Sequence, residues 1–245
     1  MPREWDADAY DRLPIPMTRW GEAVVGWLDL LGSECVLDAG CGTGKVTAFL
    51  LDRLPDGTVI ALDGSAAMID RARLRLSGDE RVEFVVADLE QPLPFEQRVD
   101  AILSTATFHW IPDHDALFRN LAGVLRHGGQ LAAQCGGAGN TASLEAVLRE
   151  MGAGFGGRKH FASADETTLR LEAAGFTDVE CWLHDEPVRI EAADLESYLE
   201  TICLGDTLAQ IAPAGRSGFV QEVARRLREP VIDYVRLNIR ARRAT

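Results

Sequence analysis

The sequence predicts a doubly wound α/β fold, with one mainly parallel sheet of seven strands and helices on both faces. Short apolar runs alternate with segments of helical periodicity over the first 135 residues, which is typical of parallel strands joined by crossover helices. The chain has 245 residues, of which 47% are hydrophobic, and can therefore bury one substantial core. In such a sheet, ligands bind beyond the carboxyl ends of the strands.

Turn residues and helix caps separate the predicted elements. The predicted strands are residues 35–38, 58–63, 82–87, 99–104, 130–134, 176–184 and 231–240. The predicted helices are residues 46–54, a helix capped by Ser65 that runs to residue 76, and residues 113–125, 143–151 and 164–174. Pro55 and Gly57 end the first helix, and Gly128 and Gly129 are expected to end the third.

This pattern divides the chain into four parts. Residues 1–30 have a mostly helical pattern and are expected to pack over the mouth of the sheet. Residues 31–191 form the ligand-binding core, residues 192–229 a lid of two or more helices, and residues 230–245 the closing strand. A break suited to a hinge is predicted inside the lid at Pro213, Gly215, Ser217 and Gly218.

Charge argues against a nucleic-acid partner. The formal net charge is -13, whereas non-specific nucleic-acid binding depends on clustered Lys and Arg. Seven arginines lie between residues 225 and 243, but apolar residues alternate with them. We interpret that segment as an edge strand with a solvated face.

Cysteine and histidine spacing gives no metal or disulfide pattern. The five cysteines form no C-x-x-C pair, and no two of the five histidines have helix-face ligand spacing. The start MPREWDADAY is acidic, and no apolar run reaches the roughly 20 residues that span a bilayer. We expect a cytoplasmic monomer or homodimer with no metal site and no membrane segment.

The stretch VLDAGCGTGKVT, residues 36–47, does not fit a phosphate loop. A triphosphate loop G-x-x-x-x-G-K-[ST] would need glycine at Ala39 and a hydroxyl at Val46. A dinucleotide loop needs G-x-G-x-x-G, whereas the glycines here are evenly spaced at positions 40, 42 and 44. Asp38 at the strand end would repel pyrophosphate and attract a cation. The pattern predicts a nucleoside without phosphates that carries a positively charged tail.

The run DAGCGTG, with Asp63 after the second strand and Asp88 after the third, resembles the class I S-adenosylmethionine-dependent methyltransferases over about residues 33–135. The segments WDADAYDRLPIPMTRW and FHWI resemble the trans-aconitate methyltransferase branch and its small-molecule relatives. The resemblance implies a Rossmann-like core with an antiparallel last strand. It also implies S-adenosylmethionine as cofactor and in-line methyl transfer to a small molecule, with a carboxylate such as trans-aconitate as one candidate acceptor.

Physical chemistry gives the loop residues roles of their own. Gly40, Gly42 and Gly44 let the cofactor lie against the chain, and amides at the helix start are expected to hold its carboxylate. Asp38 is expected to meet its amino group through water or a backbone amide. Asp63 lies 19 residues beyond Gly44, near the spacing at which an acid binds ribose hydroxyls.

The family resemblance places further residues around the cofactor. It implies Asp88 at the adenine amine, with Leu89 beside the ring and Met68 against its other face. It also implies Ser104 near the methionine moiety. Taken singly, Asp63 could be a turn acid, Met68 a core residue and Ser104 a strand-end hydroxyl.

The acceptor pocket is expected between the N-terminal segment, the FHWI loop and the lid. Tyr10 and Trp110 are the predicted wall, and Tyr10 and His109 are the catalytic candidates. His109 would be a general base or a loop hydrogen-bonder, and a carboxylate acceptor would need no base. The cations that could bind such an acceptor are Arg19, Arg158 and Lys159.

Two other function classes compete with methyl transfer. A nicotinamide-dependent oxidoreductase shares the wound sheet, although the even glycine spacing argues against it. A non-catalytic S-adenosylmethionine-binding protein would share the cofactor site and lack an open acceptor cavity.

Overall fold

The computed structural model describes residues 5–12, 16–95, 98–154 and 159–245. Arg158, one of the expected acceptor-binding cations, lies outside these residues. The described strands are β1 Cys35–Ala39, β2 Thr58–Asp63, β3 Val82–Val86, β4 Val99–Thr105, β5 Leu125–Gly136, β6 Phe176–Asp185, β7 Val188–Arg189, β8 Val231–Ile232 and β9 Val235–Arg243.

Helices connect and cover these strands. They are α1 Ala7–Arg12, α2 Met17–Val25, α3 Lys45–Asp52, α4 Ala66–Arg75, α5 His114–Val124, α6 Ala142–Glu150, α7 Ala164–Ala173, α8 Leu195–Tyr198, α9 Gly205–Ala209 and α10 Pro213–Arg226. A 3-10 turn covers Phe108–Trp110, and a π-helical turn covers Leu199–Cys203.

Seven strands form one sheet in the order β3-β2-β1-β4-β5-β9-β6. Neighbours from β3 through β5 pair in parallel, whereas β9 runs antiparallel to both β5 and β6. The predicted fold class, a mainly parallel seven-stranded sheet with an antiparallel last strand, is confirmed. Strands β7 and β8 form a separate two-stranded ribbon.

Side-chain caps set several of the predicted helix boundaries. The Ser65 hydroxyl accepts a hydrogen bond from the Met68 N–H at 3.3 Å at the start of α4. The Asp113 carboxylate accepts one from the Ala116 N–H at 2.8 Å at the start of α5. Each cap satisfies an amide that has no partner within its own helix, so the chain turns helical at these residues.

Apolar layers cover both faces of the sheet. One layer joins sheet residues such as Ile102 to Phe108 and Phe118, and the opposite layer joins β1 to α2 and α3 through Val36, Val24 and Leu50. A third cluster packs the helices of residues 195–226 against Trp20, α6 and Tyr234. Among the described residues, no helix has the length and apolar character needed to cross a bilayer.

The C-terminal strand differs from the prediction in position. It was expected at the edge of the sheet, but β9 lies between β5 and β6. Arg236 is therefore only 2% exposed and Asn238 fully buried, because neighbouring strands and the helical cluster cover both faces of this segment. The predicted strand 231–240 is also divided, since Val231–Ile232 pairs with β7 instead.

Two glycine-based predictions were also wrong. Gly128 and Gly129 do not end a helix, because α5 ends at Val124 and both glycines lie within β5. Gly215 and Gly218 lie inside the continuous helix α10, and Pro213 occupies its first turn, where a missing N–H costs nothing. The break between lid helices is at residues 210–212 instead.

Candidate active site

A cavity of about 530 Å³ lies at the carboxyl ends of the parallel strands, within the size range of small-molecule sites. Segments that follow β1, β2, β3, β4 and β5 all contribute to its wall, as the wound fold predicts. The predicted site residues that line it are Tyr10, Gly40, Gly42, Asp63, Met68, Asp88, Leu89, His109 and Trp110. The predicted site residues that do not line it are Arg19, Asp38, Gly44 and Ser104.

Of the three loop glycines, Gly42 leaves open space at the cavity, whereas a Cβ on Gly40 would clash with the Thr107 side chain. Gly40, Gly42 and Gly44 all have positive φ values, of +88°, +54° and +78°. A Cβ on Gly42 would meet no protein atom within 4 Å, so the space beside it is open for a ligand. A Cβ on Gly44 would instead lie 3.2 Å from the Ala72 side chain, so this glycine allows α3 and α4 to pack closely.

Three backbone amides of the glycine loop donate within the protein. The N–H groups of Gly40 and Cys41 donate to the Leu62 carbonyl, at 2.7 and 2.9 Å. The Gly42 N–H donates to Asp63 Oδ2 at 2.9 Å. Because these three donors already have partners within the protein, they are not available to a ligand, and the role expected of the amides at the start of α3 stays a prediction.

Asp63 fixes the loop and faces the cavity. Its second oxygen, Oδ1, accepts a hydrogen bond from the Ser65 N–H at 2.9 Å. These two backbone hydrogen bonds hold the carboxylate at the cavity wall. This arrangement fits the predicted ribose contact, and it gives Asp63 a second function in shaping the loop.

Two apolar side chains line the cavity together with Asp88. Met68 and Leu89 are both buried and line the cavity, and Asp88 lies next to them with Oδ1 accepting the Glu90 N–H at 3.0 Å. Two apolar side chains with an adjacent hydrogen-bond acceptor suit an aromatic base that bears an amine. These residues fit the adenosine half of S-adenosylmethionine.

Asp38 lies behind the loop, out of reach of the cavity. It is fully buried, its Oδ2 accepts a hydrogen bond from Thr47 Oγ1 at 2.7 Å, and its Oδ1 has no partner among the described residues. Burial, assisted by the charge of Asp63, raises the pKa of Asp38 to about 7 despite the opposing Thr47 bond. The expected contact with a ligand amino group is therefore not a direct one.

Ser104 is also a structural residue in this arrangement. Its hydroxyl donates to the Ala39 carbonyl at 2.6 Å and joins β4 to β1. The next three residues, Thr105, Ala106 and Thr107, line the cavity instead. Ala106 has a φ of +55°, which is unusual for a residue other than glycine and turns the chain sharply at the cavity wall.

Asp11 fastens the N-terminal helix α1 over the glycine loop, a role that sequence reasoning missed. Its carboxylate accepts a hydrogen bond from Thr43 Oγ1 at 2.8 Å and pairs with Lys45 at 3.1 Å and Arg71 at 3.1 Å, and it also pairs with Arg75. Burial alone would raise the pKa of Asp11, but these partners lower it to about 2. Lys45, the lysine of the sequence that was compared with a phosphate loop, forms an ion pair with Asp11 instead.

Aromatic side chains close the cavity above the loop. Trp5 makes edge contacts with Trp110 and Tyr10, with ring centroids 5.1 and 5.9 Å apart. Burial, together with the charges of Asp63 and Asp11, raises the pKa of Tyr10 above its usual value. Tyr10 therefore stays protonated and can donate a hydrogen bond, but it is not a base at neutral pH.

His109 lies in the inner wall of the cavity. Its ring stacks on Phe161 with centroids 5.8 Å apart, and its Nδ1 accepts a hydrogen bond from the Gly136 N–H at 3.2 Å. Burial, followed by the positive charge of Arg236, holds the pKa of His109 well below its usual value. The imidazole is therefore neutral at physiological pH.

The positive charges differ from those expected. Arg19 is exposed, binds Glu186 at 2.7 Å and does not line the cavity. Lys159 does line it, with Nζ donating to the Cys203 carbonyl at 3.0 Å and lying 4.7 Å from the Trp110 ring centre. Sequence reasoning missed Arg236, which is buried in the cavity wall.

Two contacts position the Arg236 guanidinium. Its Nε donates to Gln134 Oε1 at 3.2 Å, and the group lies 4.4 Å above the Trp20 ring. Burial lowers the pKa of Arg236 from its very high usual value, but an arginine remains a cation at neutral pH. The expected antiparallel direction of the last strand was an available signal, because it places the start of that strand beside the carboxyl end of β5.

Possible metal ligands do not cluster in the described part of the chain. No group of three or more His, Cys, Asp or Glu side chains there could hold a metal ion. The ring centroids of His114 and His160 lie 4.6 Å apart in an edge contact, and Glu166 Oε1 lies 3.5 Å from His160 Nε2, but these described residues do not form a group that could hold a metal ion.

Comparison with known proteins identifies the family. Residues 36–129 match the family model described as a methyltransferase domain. A trans-aconitate 2-methyltransferase of Methylobacterium radiotolerans is 37% identical over 131 residues, which are 54% of this chain and 49% of the relative. Another, from Methylobacterium nodulans, is 32% identical over 182 residues, which are 74% of this chain and 67% of the relative. The chain thus spans about half the length of some of these relatives and two thirds of others.

Solved structures show the same fold at low sequence identity. The YcgJ protein from Bacillus subtilis has a TM-score of 0.67 and 16% identity, and the match covers 93% of this chain and 99% of that one. A Haemonchus contortus phosphoethanolamine N-methyltransferase solved with S-adenosylhomocysteine has a TM-score of 0.63 and 18% identity, covering 93% of this chain and 53% of that one. The similarity to the trans-aconitate 2-methyltransferases, together with the glycine loop and the cavity that it borders, shows that the chain belongs to the class I S-adenosylmethionine-dependent methyltransferases.

Proposed function

We propose that this protein transfers the methyl group of S-adenosylmethionine to a small-molecule acceptor that carries a carboxylate. The observation that carries the proposal is the open backbone at Gly42, bordered by Asp63, in a cavity whose wall also contains a buried arginine. The relatives named trans-aconitate 2-methyltransferases support the acceptor class.

The cofactor half of the cavity is assigned to residues from β1, β2 and β3. Gly42 gives room against the backbone, Gly40 lets Thr107 pack against the loop, and Asp63 accepts hydrogen bonds from the ribose. Met68 and Leu89 enclose the adenine, and Asp88 accepts from its amine. Asp38 and Gly44 support the loop from behind, and Ser104 joins two strands beneath it.

When bound, S-adenosylmethionine supplies the reacting carbon, and the bond from that methyl to an acceptor oxygen forms as the bond to sulfur breaks and its electron pair stays on sulfur. The protein aligns the acceptor and excludes water. Helix α1, fastened by Asp11, and the lid residues Ile202 and Cys203 cover the cavity on two sides.

An acceptor carboxylate removes the need for a base. It is already an anion at neutral pH, so no proton has to leave before the oxygen attacks. This agrees with a neutral His109 and a protonated Tyr10, neither of which is suited to remove a proton at the pKa values described. Arg236 and Lys159 supply positive charge for such an acceptor, and Trp110 forms part of its wall.

We also propose the organisation expected from the sequence. Residues 1–30 and 192–229 act as covers over the core formed by residues 31–191 and 230–245. The net charge of -13 supports a small-molecule partner over nucleic acid. The five unpaired cysteines agree with a cytoplasmic location, and we propose a monomer or homodimer.

The test is an acceptor screen with radiolabelled S-adenosylmethionine. We expect methyl ester formation on trans-aconitate or a related small carboxylate, with no product from neutral amide analogues of the same acids. The Asp63→Ala variant serves as a control with an impaired cofactor site. Tight binding of S-adenosylhomocysteine without turnover on any acceptor would favour a non-catalytic binding protein, and NADH binding without S-adenosylhomocysteine binding would favour the oxidoreductase alternative.

A further inference from the structure

Three polar side chains meet around Gly136, the last residue of β5. His109 Nδ1 accepts a hydrogen bond from the Gly136 N–H at 3.2 Å. Asn140 Nδ2 lies 3.0 Å from the position that a Cβ on Gly136 would take. Arg236 is the register partner of Gly136 on the antiparallel strand β9. All three side chains line the cavity and are at least nine-tenths buried.

His109 presents a hydrogen-bond donor to the cavity. Because the Gly136 N–H donates to Nδ1, that nitrogen carries no proton, and the proton of the neutral ring is on Nε2. Within the described residues Nε2 has no hydrogen-bond partner, although the ring lines the cavity. A nitrogen that already carries the ring's proton has no free lone pair there, so it cannot accept a proton from an acceptor.

Asn140 and Arg236 also carry hydrogen-bond donors at the cavity wall. Asn140 Oδ1 accepts a hydrogen bond from the Val235 N–H at 3.0 Å, which fixes the amide with its NH₂ group on the other side. That group makes no hydrogen bond to the part of the chain that the structure describes. Arg236 uses Nε for Gln134, and its two terminal nitrogens have no hydrogen-bond partner in the same described ranges.

No anion of the described residues neutralises Arg236. The hydroxyls of Tyr10, Tyr198 and Tyr234 and the thiol of Cys135 surround it, and burial raises the pKa of each, so they are neutral. Glu186, the one nearby carboxylate among its described electrostatic partners, pairs with Arg19 at 2.7 Å and lies 3.4 Å from His184. A buried cation without a counter-charge is costly, and a bound anion would remove that cost.

We propose that His109, Asn140 and Arg236 form an anion cradle around Gly136 that binds a carboxylate of the acceptor entirely by hydrogen-bond donation. The proposal rests on the proposed function for the nature of the acceptor. In the cradle, Arg236 supplies the charge and His109 is a fixed donor, not a general base. Carboxylate oxygens suit the cradle because they are strong acceptors with several lone pairs.

The binding experiment uses tricarballylate, a saturated tricarboxylate, and its neutral analogue propane-1,2,3-tricarboxamide. Each is titrated calorimetrically into the protein, with and without saturating S-adenosylhomocysteine. We expect tricarballylate to bind and the triamide not to bind. For Arg236→Gln we expect at least about a tenfold loss of tricarballylate affinity, since a hydrogen bond to a charged group is removed. Unchanged affinity in Arg236→Gln, or equal binding of the triamide, would overturn the proposal.

A matched control uses another arginine of the same strand. Arg240 is half-exposed and lies near Glu180, away from the cavity, so Arg240→Gln changes the net charge equally without touching the cradle. We expect this variant to bind tricarballylate as the wild type does. Inorganic phosphate is titrated in parallel, and affinity equal to that of tricarballylate would contradict a cradle built for carboxylates.

A second measurement remains decisive if Arg236→Gln does not fold. The ¹⁵N shifts of the His109 ring are followed from about pH 5.5 to 8.5, with His109→Gln used for assignment. We expect the neutral Nε2–H tautomer throughout, and titration within this range or an Nδ1–H tautomer would refute the fixed-donor role. His109→Gln, which keeps an N–H donor, should retain more tricarballylate affinity than His109→Leu.

These outcomes separate the cradle from the proposed function. If wild-type protein does not bind S-adenosylhomocysteine, the methyltransferase assignment fails whatever tricarballylate does. If it binds S-adenosylhomocysteine but not tricarballylate, only the cradle fails. Retained S-adenosylhomocysteine binding in each variant shows that its site is still folded.

Discussion

Asp38 predicts an unusual dependence of stability on pH. Its carboxyl is buried at the end of β1 with one oxygen bonded to Thr47 and the other without a partner among the described residues. The perturbation is Asp38→Asn, which has the same shape and can still accept the hydrogen bond of Thr47 but cannot ionise. Comparing the two proteins across pH isolates the cost of the Asp38 charge.

The sign of the effect follows from the two pKa values. The pKa of Asp38 is about 7 in the folded protein and 3.8 in an ordinary environment, so the folded state holds the proton more tightly than the unfolded state. The stability from this group is fully present below about pH 4 and is lost as pH rises through about 7. At about 1.4 kcal/mol for each pKa unit, the full loss is roughly 4 kcal/mol, of which about 2.5 kcal/mol falls between pH 5 and pH 8.

Urea denaturation at about pH 5 and pH 8 measures this difference. Between pH 5 and pH 8 we expect the wild type to lose roughly 2.5 kcal/mol more of its free energy of unfolding than Asp38→Asn does. Asp52→Asn, at an exposed position on α3, is the matched control and should show no such change. A difference between wild type and Asp38→Asn that is the same at both pH values would refute the buried, proton-binding Asp38.

Three further predictions concern the cofactor, metal ions and the covers. Asp63→Ala should weaken S-adenosylhomocysteine binding by about 1.5–3 kcal/mol, measured by calorimetry, because a charged acceptor is lost; unchanged affinity would exclude the ribose contact. A chelator should leave turnover unchanged, and restoration of chelated enzyme by a divalent ion would contradict this. Binding of S-adenosylhomocysteine with an acceptor should slow hydrogen exchange around Tyr10 and at the break at residues 210–212, and identical exchange in the free and bound protein would reject moving covers.

Local sequence signals were sufficient for the cofactor half of the protein. Strands β1 to β4 and helices α3 and α4 lie within one or two residues of their predicted positions, because apolar periodicity, Ser65 and the glycine loop each act over short distances. The strand pattern also predicted that Asp63 and Asp88 line one cavity, because the carboxyl ends of parallel strands lie at the same edge of the sheet.

The acceptor half depends on tertiary packing that local patterns do not contain. The alternation of arginine with apolar residues in β9 is what an edge strand shows, but β6 pairs with its outer side and buries Arg236. The hydrogen bonds of Asp11 with Thr43 and Arg75 join residues that are 32 and 64 positions apart in the sequence. No pattern close to Asp11 in the sequence indicates these contacts. The hinge predicted at Gly215 was wrong because a proline can begin a helix as well as end one, and α10 begins at Pro213 and continues through the glycine.

The cavity wall contains both the acidic glycine loop and a buried cation, and this bears on which ligands the site can accept. At the glycine loop, the Gly42 N–H that would hold a phosphate already donates to Asp63, whose negative charge would also repel one. A nicotinamide dinucleotide would therefore place its pyrophosphate against a carboxylate and an occupied amide, whereas a cationic sulfonium cofactor meets no such repulsion. At Gly136, the donors of His109, Asn140 and Arg236 favour an anion instead. The cavity wall thus offers a carboxylate that suits a positively charged donor and a buried cation that suits a negatively charged acceptor, within a protein whose net charge of -13 would otherwise repel the acceptor.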